Sequence, residues 1–393
     1  SSTSSSSSTS SPSSVPLLIP RSMCVDCLST HFCIRRFRTN YFDLNLEICV
    51  VASGKAKQDA LKEASRRNNP HTESGYISVL YRAAASNNVA LVKRVLRRAA
   101  HNSKFDINQA TATGGTTLIY ASQHGSAEVV KVLLGVEGIN ANLPLHNGRT
   151  PLFMSAQSGH LHCVQLLLAV PGIKINRAKD TGETPLLISC QEGYLECVLA
   201  LLAHPTIKVD QATRNGRTPL QIACYRGHAH VVSTLLEPEV GVDVNKPKMQ
   251  GSTALWLATK RQHPTVIRML LDHPNIRVND ADNNGRTPLY VACEMGHLEC
   301  LRLLLLVDGI DASTRVKHPR EPIREGEAAG EELLDMFDIA KRNGHEDVLN
   351  LLREFGHIDE EELIMSQGKV WDHVTNRYVK PGKETIQIDE EET

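Results

Sequence analysis

From about residue 76 to residue 358, apolar residues arrive in short bursts at helical spacing, as in Leu195, Val198, Leu199, Leu201 and Leu202. Two bursts make a unit, and each unit opens on Gly-x-Thr-Pro-Leu or a close variant. The motif begins at Gly114, Gly148, Gly182, Gly216, Gly251 and Gly285, so successive intervals are 34, 34, 34, 35 and 34 residues. A unit this short cannot bury its own apolar face and must stack on its neighbours, which predicts a repeat solenoid. Asn147-Gly148, Asn215-Gly216 and Asn284-Gly285 tolerate positive φ and predict a tight hairpin turn ahead of each helix pair. In Thr150-Pro151, Thr184-Pro185, Thr218-Pro219 and Thr287-Pro288, the threonine hydroxyl suits a helix N-cap and the proline the first helical position. Gly125, Gly159, Gly193, Gly227, Gly296 and Gly344 fall where the first helix must stop, a place that favours a left-handed residue. Leu202 and Leu236, near the ends of second helices, are expected to face the core.

These residues resemble the ankyrin-repeat family. Its pattern appears as Gly216-Arg-Thr-Pro-Leu-Gln-Ile-Ala-Cys-Tyr-Arg-Gly-His-Ala-His-Val-Val-Ser-Thr-Leu-Leu236. The resemblance implies an all-α-type solenoid of about eight ankyrin repeats over residues 76–358, each a hairpin plus two antiparallel helices. Weaker copies at Ala84–Asn88 and Ala340–His345 suit caps, with Leu96 followed by Arg97 and Leu352 by Arg353 where an end has no further neighbour. The chain departs from the family where histidine usually follows Thr-Pro-Leu; Phe153, Leu187, Gln221, Trp256 and Tyr290 stand there instead. The interval from Gly296 to Gly344 is 48 residues, and the surplus within Ser313–Glu332, with two prolines and mixed charge, reads as an exposed loop.

The flanks differ from the array. Eleven of the first 14 residues are serine, so residues 1–75 read as a largely disordered segment with a helix-favouring stretch at 54–68. The sequence does not begin with Met, which makes Met23 a candidate start, and Val15–Ile19 is too short for a signal-peptide core. Residues 359–393 read as an acidic, flexible tail, whose Ile386–Thr393 and Ile358–Leu363 clusters could dock on a basic groove of the same chain. A net charge of -1 disfavours a nucleic-acid coat, and no apolar run long enough for a membrane span appears.

Candidate chemistry changes this picture little. Cys163, Cys197 and Cys300 share one phase of the repeat and Cys190, Cys224 and Cys293 another, which is the pattern of packing positions. His160, His228, His297 and His345 stand a full repeat or more apart, too far for shared zinc ligation, and suit hydrogen bonding near the turn. Cys24, Cys27, His31 and Cys33 form the one metal-like cluster, without a separated second pair, and no metal or cofactor is expected. No phosphate loop or nucleophile elbow occurs, so the expectation is a non-enzymatic scaffold or adaptor, monomeric, cytoplasmic or nuclear. The runner-up is a regulatory or targeting part of an enzyme whose catalytic domain lies elsewhere. The resemblance places the partner surface on the concave face, where Arg149, Arg217, Tyr225, Arg226, Trp256, Lys260, Arg261, Arg286 and Tyr290 project as candidate contacts for a protein partner with an acidic segment. Arginine and large aromatics are the residues that most often anchor interfaces.

Overall fold

In the computed structural model the described residues are 73–100, 105–319, 331–356, 370–372 and 377–379. The chain divides between Gly75 and Tyr76 into two units, and the elements described here fall almost wholly in the second. The serine-rich segment, the Cys24–Cys33 cluster and the acidic Ile358–Leu363 and Ile386–Thr393 clusters lie outside the described residues.

Eight helix pairs follow one another: α1 (Glu73–Ala85) with α2 (Val89–Ala99), α3 (Thr117–Gln123) with α4 (Ala127–Leu134), α5 (Pro151–Gln157) with α6 (Leu161–Leu168), α7 (Pro185–Glu192) with α8 (Leu195–Leu202), α9 (Pro219–Arg226) with α10 (Ala229–Leu235), α11 (Ala254–Lys260) with α12 (Pro264–Leu271), α13 (Pro288–Met295) with α14 (Leu298–Leu305), and α15 (Met336–Arg342) with α16 (Glu346–Glu354). First helices stack on first helices from α3 to α15, and second helices on second helices from α2 to α16. Each inner first helix starts as the motif predicts: Thr150 accepts from the Phe153 amide at 3.2 Å, and Thr184, Thr218, Thr253 and Thr287 repeat the bond. The stop glycines are left-handed, at φ between 70° and 78°. Asn87 and Gln262 fill the same position at φ 51° and 56° without being glycine.

Burial corrects the phase of the second helices by one residue. Leu201 and Leu235 are fully buried, whereas Leu202 and Leu236 are only half-buried. At the C-terminal cap Leu352 is buried and Arg353 exposed, as expected. At the first repeat the stop residue is Asn87, so Val95 and Leu96 take the paired positions and the charge at Arg97 comes one place later than the sequence suggested.

The surplus between α14 and α15 is not all loop. β1 (Val316–Pro319) pairs antiparallel with β2 (Glu331–Leu334), from Val316 opposite Leu334 to Pro319 opposite Glu331. Val316 turns inward at 3% exposure while Leu333 stands out at 59%, the alternation a half-buried ribbon needs. A second ribbon, β3 (Val370–Asp372) with β4 (Arg377–Val379), places Trp371 opposite Tyr378. The tail therefore contains regular structure where charge composition alone predicted none; aromatic and β-branched residues favour strands regardless of nearby acids.

Asparagines stitch the repeats along their loops. Asn108, Asn142, Asn176, Asn245 and Asn279 each donate to a carbonyl 30 residues on, at 2.6–3.0 Å, and each accepts an amide 32 residues on. In the repeat that carries the extra residue, Asp210 takes this place. It accepts from the Asp243 amide at 2.9 Å, but its Oδ1 has no partner, because a carboxylate has no N–H for the following carbonyl, that of Gly241. Burial, the largest effect, raises the Asp210 pKa above the usual carboxylate range, against the Asp243 amide and Lys246, which lower it. A carboxyl that binds its proton more tightly when folded adds stability that is complete below its unfolded pKa and is lost as pH rises through the folded value. Asp210→Asn is therefore expected to stabilise the protein near neutral pH by about 1 kcal/mol, the net worth of one restored hydrogen bond. The gain should shrink in acid. Chemical denaturation of both proteins across that pH range checks it; a gain that is absent at neutral pH or constant with pH refutes this account.

Candidate functional site

The face of interest is built from hairpin tips and the C-terminal turns of first helices. Successive tips are joined by backbone hydrogen bonds, the Arg214 amide to the Thr181 carbonyl at 3.2 Å, Met249 to Asn215 at 3.3 Å and Asn283 to Gln250 at 3.0 Å. The residue after each tip glycine is thereby set against the helix of its own repeat. Position N3 of that helix points inward: Phe153, Leu187, Gln221, Trp256 and Tyr290 are all buried to 3% exposure or less. This corrects the reading of Trp256 and Tyr290 as projecting anchors. A side chain three residues into the helix lies beneath the next finger, so the rings form the floor of the surface. Trp256 donates its indole N–H to the Arg286 carbonyl at 3.0 Å, and the Tyr290 hydroxyl is hydrogen-bonded to His318 Nε2 of β1 at 2.8 Å. Where N3 is Gln221, its Oε1 closes a capping box with Thr218 while its Nε2 donates to the Lys246 carbonyl of the next finger.

Cations lie on these rings. The Arg217 and Arg261 guanidiniums sit 5.3 and 4.4 Å from the Tyr225 centroid, and Lys260 and Arg286 sit 5.0 and 5.5 Å from that of Trp256. Half-buried Tyr225 packs against the small cluster of Trp256, Leu257 and Val291, so the two ring systems are contiguous. Six of the nine candidates, Arg217, Tyr225, Trp256, Lys260, Arg261 and Arg286, thus come together. Arg149 lies apart over Phe153 at 5.9 Å, which it shares with Lys179. Arg226 is exposed on α9, and Tyr290 belongs to the base of the β1–β2 ribbon.

Charge compensation divides the cluster. Arg286 is held by buried Asp282 at 2.8 Å and by Glu294 at 3.5 Å, which raises its pKa against the cost of burial. Among the described residues, Arg217, Lys260 and Arg261 have no ion-paired carboxylate. Lys248, which the sequence reading missed, joins them. Burial first, and then repulsion from Arg217 and Lys260, pulls its pKa below the usual lysine range, opposed by the smaller attraction of Asp282. It lies three residues before a tip glycine, in the column that holds Lys179 in one repeat and Asp282 in another. Reading that column along the fingers would have found it.

The remaining candidates prove structural. The thiols of Cys163, Cys197 and Cys300 are pushed up to about 11, first by burial. Those of Cys190, Cys224 and Cys293 are raised further by burial, so none is a thiolate nucleophile at neutral pH. His160, His228, His263 and His345 each donate from Nε2 to the carbonyl two residues before the preceding repeat's stop position, at 2.9–3.2 Å. Among the described residues no group of three or more histidines, cysteines or carboxylates could hold a metal, and no helix is long and apolar enough to cross a membrane.

Comparison with known proteins agrees with this architecture. A model of ankyrin repeats (three copies) matches residues 80–179, 173–248 and 240–316, more than half of the chain. The chain belongs to the ankyrin-repeat family, whose members characteristically serve as protein interaction modules. It is 39% identical over 57 residues to rabankyrin-5 of Mus musculus and, over the same length, to rabankyrin-5 of Homo sapiens. That match covers 14% of this chain and only 5% of each relative. Among solved structures it is similar to the human ASB11 ankyrin repeat domain, with 26% identity and a TM-score of 0.50, over 59% of this chain and 99% of that one.

Proposed function

We propose that this chain is a non-enzymatic scaffold or adaptor that takes an acidic segment of a protein partner on the surface around Tyr225 and Trp256. The observation that carries the reading is a group of cations without carboxylate partners: Arg217, Lys260 and Arg261 gathered on two packed aromatic rings, with Lys248 near enough to be repelled by Arg217 and Lys260. Such rings hold guanidinium and ammonium groups in place, which lowers the ordering cost of binding. Arg286 is a framework residue of this surface, since Asp282 and Glu294 already use its charge. Arg149 with Lys179 forms a second, smaller basic spot further along the fingers.

The test is affinity capture with the full chain and with the double variant Arg217→Glu/Arg261→Glu, followed by mass spectrometry. The expected result is a set of proteins bearing acidic segments that is lost in the variant, while the variant's helical circular dichroism and melting stay unchanged. Identical capture by both proteins overturns the assignment of this surface. Captured partners should also dissociate more readily as salt rises, because exposed charges are screened over about 8 Å at physiological ionic strength. Salt-independent capture would show that other contacts hold the partner.

A further inference from the structure

The basic surface is lopsided, and the asymmetry limits what fits it. At the Arg286 side the charge is cancelled by Asp282 and Glu294, whose carboxylates would repel an incoming anion. At the other side, tip packing brings Lys248 beside the finger that carries Arg217: a Cβ on Gly216 would stand 3.2 Å from the Lys248 Cα. Arg217 lies over the Tyr225 ring, Arg261 approaches the same ring more closely, and Lys260 sits on the adjoining Trp256. Arg217 Nε is shielded from solvent and has no acceptor within the protein. The site thus offers several donors and concentrated positive charge within one short stretch of surface.

Resting on the reading that this face takes an acidic segment, we propose that Arg217, Lys248, Lys260 and Arg261 form a seat for the phosphoryl group of a phosphorylated side chain in that segment. A carboxylate brings one negative charge and two oxygens. A phosphomonoester brings about −1.5 to −2 charges and three acceptor oxygens, enough to satisfy an arginine fork and a lysine at once. The acids at Asp282 and Glu294 fix the direction: the phosphoryl group lies at the Lys248 side, and the peptide continues toward Arg286 with residues other than Asp or Glu.

Fluorescence anisotropy of the full chain against three labelled peptide pools tests this. The pools share degenerate flanks containing Asp and Glu and differ only at a fixed central phosphoserine, glutamate or serine. The phosphoserine pool is expected to bind about tenfold more tightly than the glutamate pool, the advantage disappearing in Arg217→Ala/Lys248→Ala. Inorganic phosphate should compete for the wild-type protein and not for that variant, whose circular dichroism should match wild type. Equal affinity for the phosphoserine and glutamate pools, with both lost in the variant, overturns the phosphoryl seat and leaves the acidic-segment reading in place. Failure to bind either pool overturns both. Tighter binding of a single-stranded oligonucleotide than of any peptide pool overturns the peptide assignment in favour of nucleic acid.

Discussion

Leu201→Ala is expected to lower the unfolding free energy by about 2–5 kcal/mol, the range for removing a fully buried leucine from a core that relaxes only in part. Leu201 lies on α8 with no solvent exposure, inside the continuous core that runs from the first repeat to the last. Leu202, its immediate neighbour, is half-buried and packs only against the edge of that core, so Leu202→Ala should cost distinctly less. The pair is a test of helix phase as well as of burial, because the two residues are chemically identical and adjacent. In a stack where each repeat contacts only its neighbours, a central lesion also weakens the two flanking interfaces. Guanidinium denaturation followed by circular dichroism should therefore show a lower midpoint for Leu201→Ala, and a broadened or two-step transition if the halves uncouple. Equal midpoints for the two variants would mean that the second helices are rotated from the arrangement described.

The repeat skeleton was legible in the sequence because its signals are local. A threonine before proline caps a helix and a left-handed glycine ends it whatever lies next door, and the observed caps and φ angles follow the motif residue by residue. The site was only half legible. Arg217, Tyr225, Lys260 and Arg261 stand on the outer positions that the pattern assigns them, and the structure draws them together. Trp256 and Tyr290 were misplaced because the N3 position accepts Phe, Leu, Gln, Trp or Tyr, and a column that varied looks like surface. What those residues share is room beneath the next finger, which no single repeat reveals. Lys248 was missed for the opposite reason. It sits in a turn, and only contact between neighbouring fingers places it beside Arg217. The β1–β2 ribbon escaped because charged and proline residues hid a single apolar cross-strand pair, Val316 opposite Leu334.

Gly227→Ala should cost about 1–3 kcal/mol more than Gly344→Ala, although both replace the same helix-stop glycine. Their backbones are alike, at φ 77° and 74°, so each alanine meets the same left-handed penalty of roughly 1–2 kcal/mol. They differ in what stands above them. A Cβ at position 227 would come within 2.6 Å of the His263 ring, which also donates to the Tyr225 carbonyl at 3.2 Å; among the described residues nothing lies within 4 Å of one at position 344 and no further repeat follows it. Gln262 shows the adjustment an alanine would force. With a side chain at the stop position its φ is 56°, some way from the glycine values, while the His297 ring above it still finds a backbone partner at Lys260. Moving Gly227 toward that geometry displaces the end of α9, which carries Tyr225 and Arg226. Gly227→Ala is thus expected to weaken anion binding at Arg217 and Arg261 as well as stability, whereas Gly344→Ala should leave binding at the wild-type level. Denaturation midpoints and anisotropy measured on the same samples separate these outcomes. Equal stability losses in the two variants would show that the histidine ring yields freely and that the ladder of rings over glycines contributes nothing to the rigidity of the array.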